Sequence, residues 1–328
     1  ENITKESFTE TNMLEETSEE KDSFFVGDVN NDNIQDTAFV NFNQQNEYGD
    51  MIIRFTNNIP EIDFGQSYCV SIKKIEDLNL DGANEIIIFS RTHEGLIYTH
   101  NDSGGGRRVF VIDSLGKGLG VFKLKGVWNR DWEDIAIGPG PDPKLNYVYV
   151  GEIGDNQERY TNIFIYRFPE PEQFLEGMEV APEILKLTYP DGAKDAETLM
   201  VDPISKDIYI LSKRDSLNIL YKTTQEAFEK KEAVLEKLME LPFTMSVAGD
   251  ISVDGREILI KNYFTVYYWT RNENETVEQA LSRDPLILPY KPEPQGEAIG
   301  FHPNGKSYFT LSEKRFNIEP VLYRYNRM

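Results

Sequence analysis

Apolar and polar residues alternate in short runs from Phe24 almost to the end of the chain, which is the pattern of half-buried β-strands. The runs are rich in Val, Ile, Tyr and Phe, and clusters of Gly, Pro, Asn and Asp separate them. Three stretches, 224–240, 276–282 and 170–177, instead favour helices. We interpret these as short helical insertions between strands, so the pattern predicts an all-β fold.

A repeated acidic motif indicates which all-β fold this is. Glu133, Glu197, Asp250 and Glu297 each precede an alternating apolar run, a turn and a second strand, and Glu85 begins a similar unit. Successive acids lie 47 to 64 residues apart. Four-stranded propeller blades of about 40–50 residues with insertions have this spacing. The repeat therefore predicts a β-propeller.

The number of blades depends on how the ring closes. The last unit ends without a fourth strand, so a segment near the N-terminus must supply one. Residues 68–72 would supply it in a five-bladed ring, whereas 24–72 as a blade of its own gives six. We favour six blades, with two separate β domains as a further alternative. We divide the chain into an acidic, disordered tether (1–22), an N-terminal blade (23–84) and the remaining blades (85–328).

Composition narrows the function. The 56 acidic residues against 34 basic ones give a formal charge of −22, which disfavours nucleic acid and favours cations such as calcium. The same charge would also simply keep an exported protein soluble. Cys69 is the single cysteine, and three histidines are too few for a histidine zinc site. No run approaches the ~18 apolar residues of a transmembrane segment.

Two nine-residue segments carry oxygen ligands at alternate positions. The first offers the side chains of Asp28, Asn30, Asp32 and Asp36 with the backbone carbonyl of Ile34. The second offers Asp77, Asn79, Asp81 and Glu85 with the carbonyl of Ala83. Alternate oxygens on a tightly curled loop converge on one point and suit Ca²⁺, which accepts many hard ligands in irregular geometry. The alternative is a pair of Asx-rich turns without metal.

These segments resemble the calcium loops of FG-GAP repeats, the blades of integrin α-chain propellers, over about 24–90. Asn33 departs from the pattern, which has Gly at that position; Asn tolerates left-handed geometry, so the first loop is weakened but not lost. Glu85 has two conflicting roles, as the ninth calcium ligand or as a member of the repeated acid set. We favour the ligand role.

The remainder, about 93–325, is similar to a largely uncharacterised family of bacterial secreted β-propellers. The motifs that carry this similarity are 98–104, 131–136, 151–156, 189–197 and 294–299. A more distant similarity is to phytase-like, esterase-like and gluconolactonase-like propellers. The resemblance implies an extracytoplasmic protein, whether secreted, periplasmic or a cell-surface lipoprotein. The composition of 1–22 is that of a tether following an export signal or lipid anchor.

Blade geometry predicts where the polar motifs meet. Strands run up and down within a blade, so the start of the first strand and the end of the second share one face. We therefore expect a ligand site at one mouth of the central channel. Its predicted residues are Asn101, Asp102, Glu133, Asp155, Asn156, Glu197, Lys213, Arg214, Asp250 and Glu297. The alternative is that each acid only caps a strand end.

Two functions compete. The first is a calcium-stabilised module that binds a glycan, peptide or partner protein. The second is a metal-dependent hydrolase of phosphoesters, esters or lactones. Its catalytic candidates are Glu133, Glu197, Glu297, Asp102, Asp155 and His100. The chain has no Gly-x-Ser-x-Gly motif, so a serine esterase is unsupported, and nothing specific indicates a quinone-dependent dehydrogenase. We favour the binding module.

Overall fold

The computed structural model describes the backbone of 22–27, 36–44, 49–55, 62–67 and 71–74, and then residues 85–93, 95–101, 106–113, 117–174, 177–313 and 320–327, with side chains from Ile87 onward. Antiparallel strands dominate this part of the chain, and they form six sheets. Five of the sheets are arranged as blades around a common axis, which confirms the predicted propeller.

Each blade is built from consecutive strands of the chain, numbered here from the innermost strand outward. Blade 1 contains β6 (Glu85–Phe89), β7 (Leu96–Asn101), β8 (Arg108–Asp113) and β9 (Gly118–Leu124). Blade 2 contains β10 (Trp132–Pro139), β11 (Asn146–Glu152), β12 (Ile163–Pro169) and β14 (Glu183–Thr188). Blade 3 contains β15 (Ala196–Val201), β16 (Ile208–Ser212), β17 (Asn218–Thr223) and β19 (Glu236–Leu241). Blade 4 contains β20 (Ser246–Ile251), β21 (Glu257–Asn262), β22 (Val266–Thr270) and β23 (Leu286–Leu288).

Blade 5 closes the ring with a strand from the other end of the chain. It contains β24 (Gly296–Phe301), β25 (Ser307–Ser312) and β26 (Val321–Asn326), and its fourth strand is β5 (Ser71–Lys74). Lys74 pairs with Val321 and Ser71 with Arg324, in antiparallel register. The inner strands contact one another in the order β6, β10, β15, β20, β24, and β24 returns to β6. The ring is therefore complete with five blades.

The six-bladed arrangement that we favoured from the sequence is wrong. The N-terminal strands β1 (Asp22–Gly27), β2 (Asp36–Gln44), β3 (Gly49–Phe55) and β4 (Ile62–Ser67) form a separate four-stranded sheet. The sequence run at 68–72, counted as the last strand of that blade, instead leads into β5. Because β5 pairs with β26, it completes blade 5, which was the alternative considered.

The helical insertions are shorter than expected. Helix α1 (Ala227–Lys230) has four residues, and the rest of the predicted helix at 224–240 forms β18 (Glu232–Val234) and β19. Helix α2 (Val277–Leu281) begins where predicted, with Thr276 and Gln279 forming a capping box. The described residues of 170–177 contain no helix; β13 (Met178–Val180) follows them.

Apolar side chains between neighbouring blades form the core. Tyr149, Tyr209 and Tyr308 on second strands are almost completely buried, as is Trp132 at the start of β10. Two extra strands extend outer edges in parallel, with β13 on β9 and β18 on β14, which covers edges that would otherwise expose unpaired backbone groups. Neither helix of the described chain is long and apolar enough to span a membrane.

Candidate functional site at the channel mouth

Three inner strands begin with a β-bulge that carries a glutamate. The pairing register shifts between Trp132 and Asp134 in blade 2, between Ala196 and Thr198 in blade 3, and between Gly296 and Ala298 in blade 5. The skipped residues are Glu133, Glu197 and Glu297. A bulge inserts an extra residue and re-aims its side chain, which is why bulges are common beside functional sites. The repeated acids are therefore presented together at one end of the ring.

Lys213 joins two of these glutamates. It follows β16, whose end lies at the same face as the start of β15, as blade geometry predicted. Its Nζ forms an ion pair with Glu197 and lies 3.8 Å from Oε1 of Glu297. It also donates to the hydroxyl of Tyr263 at 2.8 Å, and that hydroxyl donates to Glu297. One ammonium thus links the first strands of blades 3 and 5.

The two carboxyls around Lys213 differ in acidity. Burial raises the pKa of Glu197 well above its usual range, Lys213 opposes this shift, and the nearby charges of Glu297 and Asp195 add to it. Burial acts in the same direction on Glu297, but Lys213 and hydrogen bonds, including those from Tyr263 and Gln295, hold its pKa below the usual value. Glu297 therefore ionises first, and Glu197 keeps its proton to higher pH.

The ammonium itself stays charged. Burial alone would lower the pKa of Lys213, but the negative charge of Glu197 and weaker contributions from Tyr263, Glu297 and Glu133 raise it well above its usual value. Its side chain is only 5% exposed. A buried ammonium of this kind requires its carboxylate partners, since an unpaired charge in a low-dielectric interior is very costly.

A second group of carboxylates could hold a metal ion. Oxygens from Glu133, Asp195 and Glu197 lie within 4.8 Å of one another, and all three residues are buried. Atom Oε2 of Glu197 is buried and has no hydrogen-bond partner among the described residues. This all-oxygen set suits a hard divalent cation such as Ca²⁺ or Mg²⁺. The residues present fit a calcium ion at this point.

Gly154 brings the end of β11 close to the same carboxylates. A Cβ at this position would lie 2.1 Å from Oε1 of Glu133 and 2.6 Å from Oδ2 of Asp131. Only glycine permits this close approach without moving the acids. Asp131 and Glu313 also lie at this face, next to the starts of β10 and the end of β25, so the mouth contains more carboxyl groups than cations among its described residues.

Asp195 organises the junction between blades 2 and 3. It accepts hydrogen bonds from the backbone amide of Asp155 at 2.9 Å and from Nε of Arg214 at 2.6 Å. Arg214 also donates to Oδ1 of Asn156. The carboxylate of Asp155 accepts from the amide of Tyr160 and so caps its own loop. The predicted residues Asp155, Asn156 and Arg214 therefore lie together at the mouth, but the Asp155 carboxylate already has a structural role.

Asp250 does not lie with the bulge glutamates. The bulge of β20 carries Val247 instead, and Asp250 is three residues further along the strand, inside the channel. It accepts from the amides of Ile251 and Phe301, both at 2.8 Å, and so fastens β20 to β24. This arrangement corrects its assignment to the mouth. Asp134 does the same between β10 and β15, as its alternation with Glu133 indicated.

His100 and Asn101 lie at the end of β7, and both are buried. Burial lowers the pKa of His100 to about 4, although backbone carbonyls including that of Asn101 raise it slightly. The ring packs edge-on against Trp132 at 5.5 Å between centroids. A neutral, enclosed imidazole is poorly placed to act as a general base. Asp102, the remaining candidate base, lies outside the described residues.

Both predicted calcium loops lie outside the described residues, apart from the backbone of Asp36 and Glu85, where β2 and β6 begin as the sequence pattern indicated. Calcium at these loops stays a prediction. The conflicting roles of Glu85 also stay open, because its side chain is not described.

Sequence reasoning missed several residues of the mouth. Asp195 was part of a recognised motif, yet only Glu197 was selected from it. Tyr263 gave no polar signal in a strand-end sequence, Asn262–Tyr263, that favoured the asparagine. Gln295 was named only as part of a motif, but its Nε2 donates to both oxygens of Glu297 at 3.3 Å. The position two residues before each bulge, which holds Asp131, Asp195 and Gln295, would have found two of them.

Comparisons with known proteins add little about identity. No family model matches the chain, and no curated protein matches it. The FG-GAP resemblance therefore gains no support from a family model. Among solved structures, the chain is similar to a luciferin-regenerating enzyme, with a TM-score of 0.45 and 11% identity over 79% of this chain and 95% of that chain. The propeller assignment rests on the strand pairing and the closed ring described above.

Proposed function

We propose that the protein is an extracytoplasmic, calcium-binding β-propeller that acts as a binding module for a glycan, peptide or partner protein. The observation that carries the proposal is the convergence of Glu133, Asp195 and Glu197 at the mouth of a closed channel. Propeller ligands commonly bind at such a mouth, where loops from several blades meet.

The local electrostatics favour a bound cation at this mouth. Six described carboxyl groups face two cations there, Lys213 and Arg214; the acids are Asp131, Glu133, Asp195, Glu197, Glu297 and Glu313. Lys213 compensates Glu197 and Glu297, whereas Arg214 compensates Asp195 from the rim. Crowded carboxylates repel one another unless a cation balances them. A calcium ion between Glu133, Asp195 and Glu197 would supply that balance and fasten blade 2 to blade 3.

Calcium titration tests the proposal directly. Isothermal titration calorimetry should detect calcium binding to the full chain, and thermal unfolding should shift upward in calcium relative to EGTA. Glu133→Gln should remove the mouth site, whereas Asp77→Asn with Asp81→Asn should remove the second predicted loop. Glu229→Gln, an exposed change on α1 at the far end of β17, is the matched control. Unchanged calcium stoichiometry in Glu133→Gln would contradict a metal site at the mouth.

A hydrolase is the second candidate, and one observation favours it. Glu197 and Glu297 flank Lys213 and hold their protons with different strength, which is the arrangement that acid–base catalysis uses. Bound calcium would polarise a substrate oxygen; Glu197 would hold a proton and Glu297 would accept one. The excess of carboxylates disfavours phosphoesters and leaves neutral esters or lactones as the better substrates.

Turnover separates the two candidates. The purified chain should be assayed with generic phosphoester, ester and lactone substrates, in calcium and in EGTA. Calcium-dependent turnover that is lost in Glu197→Gln but retained in Glu229→Gln would establish the hydrolase. Ligand binding at the mouth without turnover supports the binding module.

A further inference from the structure

An exposed aromatic pair stands beside the mouth. Trp128 is 81% exposed and precedes β10, while Tyr160 is 42% exposed and lies between β11 and β12. Both loops belong to the face at which β10 begins and β11 ends. Single exposed apolar residues are common, but a tryptophan this exposed is costly to leave in water unless it contacts something. The two rings are therefore candidates for ligand contact.

The backbone under Trp128 is fixed although its side chain is free. The indole Nε1 of the buried Trp132 donates to the carbonyl of Trp128 at 2.9 Å. Val127, the preceding residue, is buried in the core of blades 1 and 2. The ring of Trp128 is thus presented from a rigid support, which reduces the entropy lost on binding.

Arg130 holds Tyr160 next to this support. Its guanidinium lies 3.7 Å from the centroid of the Tyr160 ring, and its Nε lies 3.1 Å from Glu152. The amide of Tyr160 is bound by the Asp155 carboxylate. The loop between these contacts exposes amide and charged side chains, namely Asn156, Gln157, Glu158 and Arg159. Planar polar groups therefore surround two exposed rings.

The charges select against ionic ligands. Carboxylates form the floor of the mouth and repel anions, whereas Arg159 and Arg214 on the rim repel cations. A neutral ligand with many hydroxyl groups meets neither penalty, because a hydroxyl donates to a carboxylate and accepts from a guanidinium. Aromatic rings stack on the apolar faces of sugar rings while their polar edges stay in water.

We infer that Trp128 and Tyr160 form a stacking platform for a neutral oligosaccharide at the edge of the mouth. The inference rests on the proposed binding function and selects one ligand class from it. The sugar ring lies on the indole of Trp128, and its hydroxyls reach the polar side chains of 156–159. A phosphorylated, acidic or strongly basic ligand does not bind there.

Tryptophan fluorescence tests the inference. The chain has three tryptophans, and Trp132 and Trp269 are buried, so acrylamide quenches Trp128 selectively. Cellohexaose, maltohexaose and chitohexaose are the neutral probes; hexalysine and hexaglutamate are the charged ones. We expect at least one hexasaccharide to protect Trp128 from acrylamide and neither peptide to do so. Protection by hexalysine alone, or by no probe, overturns the inference.

Variants place the contact. Trp128→Ala should weaken binding of the protecting sugar about 30-fold or more, as expected for a central aromatic anchor. Tyr160→Ala should weaken it about 2- to 10-fold, and Tyr160→Phe should retain it, because the stacking ring is kept. Leu286→Ala, an exposed apolar change on β23, is the control. An equal loss in Leu286→Ala would overturn the platform.

Calcium separates this inference from the proposed function. If Glu133→Gln removes a calcium site but no neutral sugar protects Trp128, only the oligosaccharide assignment fails. If the mouth binds neither calcium nor any probe, both fail.

Discussion

Two neighbouring residues of β10, Glu133 and Asp134, show how differently the channel uses carboxylates. Glu133 stands at a bulge at the mouth, within 4.8 Å of oxygens of Asp195 and Glu197. Asp134 points into the channel and accepts backbone hydrogen bonds from Ile135 and, across the blade junction, from Leu199 at 2.8 Å. The mouth acids face other side chains, whereas the channel acids bind backbone amides.

The difference teaches that an acid's partners, more than its burial, indicate its role. Both kinds of acid are almost fully buried. A carboxylate that accepts from amides of the next blade has a complete structural function. A carboxylate placed among other carboxylates, with a lysine as its shared cation, can exchange that partner for a ligand. Changes at the two kinds of site should therefore have separable effects.

The largest effect is expected at Lys213. Lys213→Met leaves Glu197 and Glu297 buried without their shared cation, and we expect a loss of about 3–5 kcal/mol in the free energy of unfolding. Urea unfolding measures this loss, with the exposed Lys230→Met on α1 as control. Added calcium should recover part of the lost stability if the mouth binds a cation. No destabilisation would show that the ion pair is dispensable.

The next largest effect is expected inside the channel. Asp134→Ala removes the acceptor for the amides of Leu199 and Ile135, and we expect a loss of about 2–3 kcal/mol with calcium affinity unchanged. Thr198 is the matched control, because it occupies the same position after the bulge of blade 3 and its buried hydroxyl has no hydrogen-bond partner among the described residues. Thr198→Val should be neutral or stabilising. A change in calcium affinity in Asp134→Ala would remove the distinction between the two sites.

Acidic pH should sharpen the comparison through Asp250. Burial raises the pKa of Asp250 to about 6, although Arg91 and two backbone amides lower it. The folded protein therefore holds this proton more tightly than the unfolded chain. The stability from this group is complete below the unfolded pKa of about 3.9 and is lost as pH rises to about 6.

The difference between the original chain and Asp250→Asn isolates this contribution. His100 titrates in the same window with opposite sign, because burial lowers its pKa to about 4 and stability is lost as pH falls from about 6.5. In both proteins the His100 contribution is the same and cancels. Urea unfolding between pH 4 and 7 should show the stability difference shrinking as pH rises. A difference independent of pH would contradict the raised pKa.

The smallest effect on stability is expected at Gly154. Gly154→Ala places a methyl group against Glu133 and Asp131, and we expect a loss of about 1–3 kcal/mol or less as the acids shift. Calcium affinity at the mouth should fall more clearly than stability. Gly249→Ala, inside the channel against Thr198 and Met200, should reverse this order. Calorimetry with calcium and urea unfolding compare the two variants.

The sequence predicted the propeller because its repeat records the start of each inner strand. It did not predict the blade number, since 68–72 has the same alternation whether it completes an N-terminal sheet or pairs with β26. The predicted helix at 224–240 was wrong for a different reason. Glu, Lys, Ala and Leu favour helices locally, but β19 pairs with β17 along Leu241–Asn218 to Glu236–Lys222, and tertiary pairing overrides local preference.

The mouth was predictable where chain direction alone decides position. Glu133, Glu197, Glu297 and Lys213 meet because first-strand starts and second-strand ends share a face. Asp250 was misplaced because a bulge shifts the register without any clear sequence signal, and Val247 occupies the position that corresponds to the glutamates. The partners of each carboxylate depend on side-chain packing between blades, which strand periodicity does not specify.

The pairing of β5 with β26 has a consequence for biosynthesis. Blade 5 needs residues 71–74 and 321–326, which are separated by almost the whole chain. During translation the early strand emerges long before its partner, so the ring stays open until the final strands leave the ribosome. An unfinished chain exposes both edges of that gap to other strands. The last few residues thus act as a latch that turns an adhesive intermediate into a closed, self-contained wheel.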